Sequence, residues 1–159
     1  MEAIDNNIQI VSKQQNQSLD EKLTDLQDKW TDNIKALNEQ MKNLTSIDGL
    51  LNEVYSKRQD AVDLYYGTYK ILSKQTREYR ANAAQIYNAL KTGSNNIRYT
   101  NDNAINMQIE AQLSDKKDII DTLTSFTNYM KDTIQTIDNI IYGINSKIKI
   151  YEMIHGMKF

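Results

Sequence analysis

Apolar side chains recur every three or four residues along much of this chain, which is the spacing of one face of an α-helix. The first stripe begins directly after Ser18, a predicted helix N-cap with Glu21 at the capping-box position. The steps between its members are 4, 3, 4, 4, 3, 4 and 3 residues, as in a heptad pattern. The pattern predicts a first helix with the apolar stripe Leu19, Leu23, Leu26, Trp30, Ile34, Leu37, Met41 and Leu44.

A second helical stretch is predicted over residues 50–91, and Gly93 is its predicted stop signal. The segment that follows contains five asparagines and a glycine within residues 92–112. Because asparagine and glycine favour turns, residues 92–113 are predicted to be an irregular connection.

A last helix is predicted over residues 114–159, with Ser114 or Asp115 as its N-cap. From Met130 onward its apolar residues follow steps of 4, 3, 4, 3, 4 and 3 residues, the strongest coiled-coil signal in the chain. We interpret this C-terminal seam as the homo-oligomerisation surface; it comprises Met130, Ile134, Ile137, Ile141, Ile144, Ile148 and Tyr151.

The composition favours long helices over a sheet with many turns, because the 159 residues include no proline and five glycines. We therefore expect an all-α fold of elongated antiparallel helices with coiled-coil seams, assembled as a homo-oligomer. Residues 1–17 are rich in Asn and Gln and are predicted to be a mobile arm, while 18–159 form a single helical domain. No apolar run is long enough for a membrane span, and the chain has no cysteine and no apparent secretion signal, which predicts a cytoplasmic protein.

Charge is distributed unevenly along the chain. Residues 1–54 carry five cations and ten anions, residues 55–99 carry eight and three, and residues 100–159 carry six and eight. The basic/aromatic segment, residues 55–99, also holds all four arginines and seven of the ten tyrosines. The formal net charge of −2 therefore conceals a local charge of +5.

Interleaved cations and aromatic rings favour single-stranded nucleic acid, since cations pair with phosphates and flat rings stack on unpaired bases. There are two alternatives. The segment is an ordinary solvated helix face, or it pairs with the acidic first helix of the same or a neighbouring subunit. The candidate DNA-binding residues are Lys57, Arg58, Tyr65, Tyr66, Lys70, Lys74, Arg77, Arg80 and Arg98.

Two further features of the sequence, the Tyr65-Tyr66-Gly67 stretch and Trp30, bear on packing and on ligand contact. Adjacent residues on a helix point about 100° apart, so Tyr65 and Tyr66 cannot both lie in one narrow seam. Gly67 predicts a kink, a helix end or a close approach of another chain segment. Trp30 lies on the apolar stripe and is interpreted as a packing residue, with a base-stacking platform as the alternative.

Enzyme chemistry has little support in the sequence. The chain has one histidine and no cysteine, and it lacks the P-loop, GxGxxG and HExxH patterns. Its carboxylates are spread along predicted helix faces without the spacing of metal ligands. We therefore predict a protein that is not an enzyme and needs neither a cofactor nor a metal ion.

Several short motifs resemble the UvsY family, the recombination mediators of T4-type bacteriophages. An early helix contains Asp28-Lys29-Trp30, and Lys57-Arg58 precedes the aromatic pair in 64–67 (LYYG). The last helix opens with LSDKKDII at 113–120, and residues 144–159 read INSKIKIYEMIHGMKF. The resemblance covers residues 25–159 in outline.

This resemblance implies a ring-like homo-oligomer that binds single-stranded DNA. Such a protein helps to load a RecA-like recombinase onto strands coated by single-strand-binding protein during phage recombination, repair and replication, in the cytoplasm of the infected cell. The alternative is a coiled-coil structural or adaptor protein, such as a virion component or helical effector, without a nucleic-acid role. That alternative accounts for the heptads but leaves the segregation of arginine and tyrosine unexplained.

Overall fold

The computed structural model describes residues 18–42, 47–93 and 99–156, apart from the side chains of 47, 48 and 155. Within these ranges the chain forms four α-helices and no strand, which confirms the all-α prediction. None of the helices in the described part has the length and apolarity needed to cross a bilayer. The predicted arm 1–17 lies outside the described residues. The helices are α1 (Leu19–Gln40), α2 (Ile47–Thr92), α3 (Asp102–Gln112) and α4 (Ser114–His155).

The first helix begins where the capping box predicted. Ser18 Oγ accepts a hydrogen bond from the Glu21 amide at 3.2 Å, and the Glu21 carboxylate accepts one from the Ser18 amide at 2.9 Å. At the other end of α1, Lys147 Nζ donates to the carbonyl oxygen of Met41 at 2.9 Å. A lysine at this position offsets the partial negative charge of a helix C-terminus and ties α1 to α4.

Two long helices, α2 and α4, form the frame of the molecule. They have 46 and 42 residues, which corresponds to about 70 and about 60 Å. Glu53 of α2 lies near Gln40 at the end of α1, where Met41 contacts Lys147 of α4, whereas Arg58 pairs with Asp138. Positions increase along α2 as they decrease along α4, so these two helices run antiparallel. Helix α1 runs parallel to α4, since Gln27 contacts Tyr129 and Met41 contacts Lys147 further along both helices.

The three helices α1, α2 and α4 share the main core. Its buried members come from all three, and Phe126 and Leu37 are its largest fully buried side chains. Trp30 is 6% exposed in this core, which confirms its interpretation as a packing residue. The buried set is Trp30, Leu37, Leu50, Val54, Ala61, Phe126, Met130, Ile137, Ile140 and Ile144.

The C-terminal seam belongs mostly to this main core. Met130, Ile137 and Ile144 are fully buried, and three further seam residues, Ile134, Ile141 and Ile148, are partly buried against the same cluster. A heptad stripe indicates that a helix face packs, but its spacing does not specify whether the partner helix is in the same chain. These six residues therefore pack in the fold of one chain, and homo-oligomerisation through the seam stays a prediction. Tyr151 lies past the core and is 38% exposed.

The predicted irregular connection over 92–113 is wrong in its second half, which forms helix α3. Asn101 acts as its N-cap, with the side-chain oxygen accepting from the Asn103 amide at 2.9 Å. Asparagine is a strong N-cap residue, so part of the asparagine-rich span starts a helix. The predicted caps of α4 are also wrong, because the N-cap is the buried residue Leu113, which makes no side-chain capping bond.

Helix α3 packs on the C-terminal half of α2 through a second, smaller core. Ile105, Ile109 and Leu113 recur at every fourth position and are buried. Gly93 ends α2 with a positive φ of 80°, as predicted for a helix stop. The partners of the buried residues are Tyr79, Ala83, Ile86, Tyr87, Leu90 and Tyr99.

A polar clamp joins the start of α3 to the end of α2. Lys91 Nζ donates to the Asp102 carboxylate at 2.6 Å, and the Tyr87 hydroxyl donates to the same oxygen at 3.1 Å. The hydrogen bonds from Lys91 and then Tyr87 lower the pKa of Asp102 below its ordinary value of 3.8. The hydrogen bond to Asp102 likewise raises the pKa of Lys91.

Lowering the pH is expected to loosen α3 from α2. Because the pKa of Asp102 is lowered in the folded chain, its contribution is present above pH 3.8 and is lost as pH falls through the lowered value. Hydrogen exchange at the Ile105 and Ile109 amides, followed from about pH 6 to about pH 2, should show protection falling faster than at main-core amides. Asp102→Asn should remove this difference; equal acid sensitivity in parent and variant would contradict it.

Candidate nucleic-acid interface

One broad face of α2 carries exposed aromatic and cationic side chains between positions 66 and 80. Its members recur mainly at steps of three or four residues, so they lie along the same side of the helix. We call this face the α2 strip. It consists of Tyr66, Tyr69, Lys70, Lys74, Arg77 and Arg80, all of them exposed.

The strip is exposed because it lies between the two cores. On α2, the buried apolar residues of the main core end at Ala61, and the second core begins at Tyr79. Between these positions, Thr68 is the one buried side chain, and its hydroxyl donates to the Leu64 carbonyl at 2.9 Å. The remaining side chains of this stretch are exposed or half-buried, which leaves a full helix face for a ligand.

Three tyrosines form a cluster at the N-terminal end of the strip. Tyr65 packs half-buried against the main core, with its ring 6.3 Å from that of Tyr69 at an angle of 15°. The ring of Tyr66 meets that of Tyr65 edge-on at 5.1 Å. Tyr66 and Tyr69 are 58% and 50% exposed. Tyr65 thus supports the two exposed rings of Tyr66 and Tyr69 and is itself less accessible than either.

The helix continues without interruption through Gly67, so this residue does not end the helix. A Cβ at this position would meet no atom within 4 Å. The expectation of a helix end at Gly67 is therefore wrong, and no other part of the described chain approaches this residue closely.

The cations of the strip are largely unpaired. Lys74 lies 3.9 Å from Glu78, but both side chains are well exposed, and such pairs contribute little. Lys70, Arg77 and Arg80 have no ion-pair partner within residues 18–42, 47–93 and 99–156. Four cations against one carboxylate make this stretch a fixed positive field at the surface.

Two other predicted contacts, Arg58 and Lys57, are not part of the strip. Arg58 binds Asp138 through Nε at 2.6 Å and through the second nitrogen at 3.4 Å. This hydrogen bond links α2 to α4. It also raises the pKa of Arg58. Lys57 is half-buried beside Arg58, more than two turns from Tyr66. Arg98 lies outside the described residues.

A shallow groove follows one edge of the strip. It has a volume of about 530 Å³ and opens to solvent. Five of its six lining residues carry aromatic, hydroxyl or cationic groups, and none of the six is a carboxylate. The lining consists of Tyr69, Leu72, Ser73, Thr76, Arg77 and Arg80. Tyr69, Ser73 and Thr76 line this groove but are not among the DNA-binding residues predicted from the sequence, although steps of four and three residues from Tyr69 place them on one side of the helix.

Two basic residues of α2 form ion pairs with other helices, and neither of them pairs with the acidic first helix. Arg58 pairs with α4 and Lys91 pairs with α3. In α1, Asp32 and Glu39 instead pair with lysines three residues further along the same helix. The described residues also include no group of three or more histidines and carboxylates able to hold a metal ion.

The fold and the site together define an elongated all-α protein with one exposed aromatic and basic helix face. No protein-family model, curated protein or solved structure matches this chain. We therefore argue its function from the α2 strip and its surroundings.

Proposed function

We propose that this chain is a non-enzymatic protein that binds single-stranded DNA and acts as a recombination mediator. The observation that carries the proposal is the α2 strip, where exposed tyrosines and unpaired cations share one helix face. Single-stranded nucleic acid offers phosphates for Lys70, Arg77 and Arg80, and bases whose flat faces can stack on Tyr66 and Tyr69. In a duplex the bases are already stacked on each other, so the tyrosines favour the single strand.

The mediator role is the finer part of the proposal and follows from the resemblance to the UvsY family. In that role the protein helps a RecA-like recombinase to replace single-strand-binding protein on DNA, in the cytoplasm of a phage-infected cell. A ring-like homo-oligomer would present several strips to one strand. Once one strip has bound, the others meet the same strand at a high effective concentration. Several strips that bind weakly on their own would therefore bind a strand tightly as a ring.

A second candidate is a structural or adaptor protein, which the apolar end of α4 favours. Four apolar side chains beyond the main core are exposed there, and Met153 and Ile154 are 77% and 70% exposed. Exposed apolar clusters of this kind mark protein contacts. The apolar end of α4 consists of Ile150, Tyr151, Met153 and Ile154.

Titration of a fluorescently labelled oligo-dT with the protein at several salt concentrations tests the DNA proposal. Anisotropy should report binding whose logarithm falls linearly with the logarithm of salt, because phosphate contacts release counterions. Three unpaired cations predict a slope of about −2 for each engaged subunit. Light scattering in parallel should give a mass of several subunits. Absence of binding at low salt would contradict the proposal and leave the adaptor function.

A further inference from the structure

We propose that the groove along the α2 strip binds one nucleotide unit, with its base against Tyr69 and its phosphate on Arg77, and that Arg80 contacts the next phosphate of a strand. This inference rests on the proposed function and adds to it a specific site and a ligand orientation. It separates the two ends of the strip, with base recognition at the N-terminal end and phosphate recognition at the C-terminal end.

The base side of the groove is pre-formed by aromatic packing. Tyr65 is held half-buried against the main core and lies nearly parallel to Tyr69, with the ring centres 6.3 Å apart. Tyr69 is therefore supported on one side while half of its surface stays exposed. A ring held in this way loses little conformational freedom when a base stacks on it, which favours binding. Leu72 is half-buried and is the apolar residue of the groove lining.

The phosphate side of the groove is cationic and lacks carboxylates. Arg77 and Arg80 both line it, and both are exposed without an ion-pair partner in the described ranges. Arginine binds phosphate through two parallel N–H donors, so its geometry suits this group. Tyr69 and Arg80 are 11 residues apart, about 17 Å along the helix axis. This distance exceeds the span from the base to the phosphate of one nucleotide, so Arg80 is placed for the phosphate of the next nucleotide in a strand.

Two hydroxyl groups that line the groove make no hydrogen bond to the backbone of their own helix. Thr68 and Thr127 donate to carbonyl oxygens four residues earlier, which is the usual fate of such hydroxyls in this chain. Ser73 and Thr76 have no hydrogen-bond partner among the described residues, although both are half-buried and line the groove. Their hydroxyls can therefore donate to, or accept from, the polar edge of a base or a sugar. Together with the tyrosine and the arginines, they match the three parts of a nucleotide.

A nucleotide unit can come from a DNA strand or from a free nucleotide. The groove is open to solvent and all of its lining residues belong to one helix, which suits a strand that enters and leaves at both ends. The shared chemistry is an aromatic base next to a phosphate, so the experiment includes both sources as ligands.

The test compares Tyr69→Leu with the parent for three probes: oligo-dT, an abasic strand of equal length and the mononucleotide dTMP. Tyr69→Leu should weaken binding of oligo-dT by about 5- to 100-fold, the range expected for loss of one base-stacking ring. Its affinity for the abasic strand and its salt slope should equal those of the parent, because the phosphate contacts are unchanged. Tyr69→Phe should bind as the parent does. The matched control is Tyr55→Leu, since Tyr55 is 51% exposed on α2 but lies outside the groove, and it should leave all affinities unchanged.

The outcomes separate this inference from the proposed function. If Tyr69→Leu binds oligo-dT as tightly as the parent while Arg77→Gln weakens it, the groove site is wrong and DNA binding stands. An equal loss for oligo-dT and the abasic strand would also overturn the groove site. If the parent binds no strand at all, the proposed function fails and this inference fails with it. Binding of dTMP as tight as that of oligo-dT, and sensitive to Tyr69→Leu, would support the site with a free nucleotide as its ligand.

Discussion

Reversing two charges on the α2 strip, by Arg77→Glu/Arg80→Glu, is expected to weaken the binding of single-stranded DNA strongly. Both guanidinium groups are exposed and unpaired in the described part of the chain, so they are available for phosphate. The variant removes two phosphate contacts and places two like charges next to the strand. We expect the affinity for oligo-dT near 0.1 M salt to fall by about 100-fold or more. The measurement is anisotropy over a series of salt concentrations, which should also show a shallower salt slope.

The control for this prediction is a second double variant with the same change of net charge. Lys22→Glu/Lys131→Glu alters one exposed lysine on α1 and one on α4, both outside the strip. If binding depends on the local field of the strip, this control should bind within a few-fold of the parent. An equal loss in both variants would show that overall charge governs binding and would contradict the assignment to the strip. Far-UV circular dichroism should confirm that both variants retain their helices.

The candidate site was partly predictable because helical spacing places residues on a common face. Lys70, Lys74 and Arg77 stand four and three residues apart, so a shared exposed face follows from the sequence. The ion pair between Arg58 and Asp138 was not predictable, because the two residues are 80 positions apart in sequence. The antiparallel packing of α2 against α4 brings them together. Tyr65 packs against the main core formed by these helices, whereas Tyr69 stays exposed. Tertiary contacts therefore decided which cations and rings are available.

The fold shows the same division between local and long-range information. The capping box at Ser18 and the stop at Gly93 involve neighbouring residues, so both ends were predicted correctly. Helix α3 was missed because asparagine favours turns and helix N-caps alike, and only the buried face formed by Ile105 and Ile109 distinguishes the two. Whether a heptad stripe packs within or between chains is likewise not contained in its spacing.

Truncating Ile137 in the C-terminal seam separates a role in the fold from a role in assembly. Its side chain is fully buried in the main core of a single chain. Ile137→Ala should lower the free energy of unfolding by about 3 kcal/mol, through lost burial and the cavity that remains. Typical domains are stable by about 5 to 15 kcal/mol, so the loss should be evident in urea or thermal unfolding.

The concentration dependence of that result decides between the two roles. If Ile137 stabilises the individual chain, the stability difference between parent and Ile137→Ala should be the same at low and high protein concentration. The matched control is Ile154→Ala, which removes the same atoms from a side chain that is 70% exposed. It should change the stability of the chain by no more than about 0.5 kcal/mol. An Ile137→Ala variant that keeps the stability of the parent but has a lower mass in light scattering would place the seam in an interface between chains.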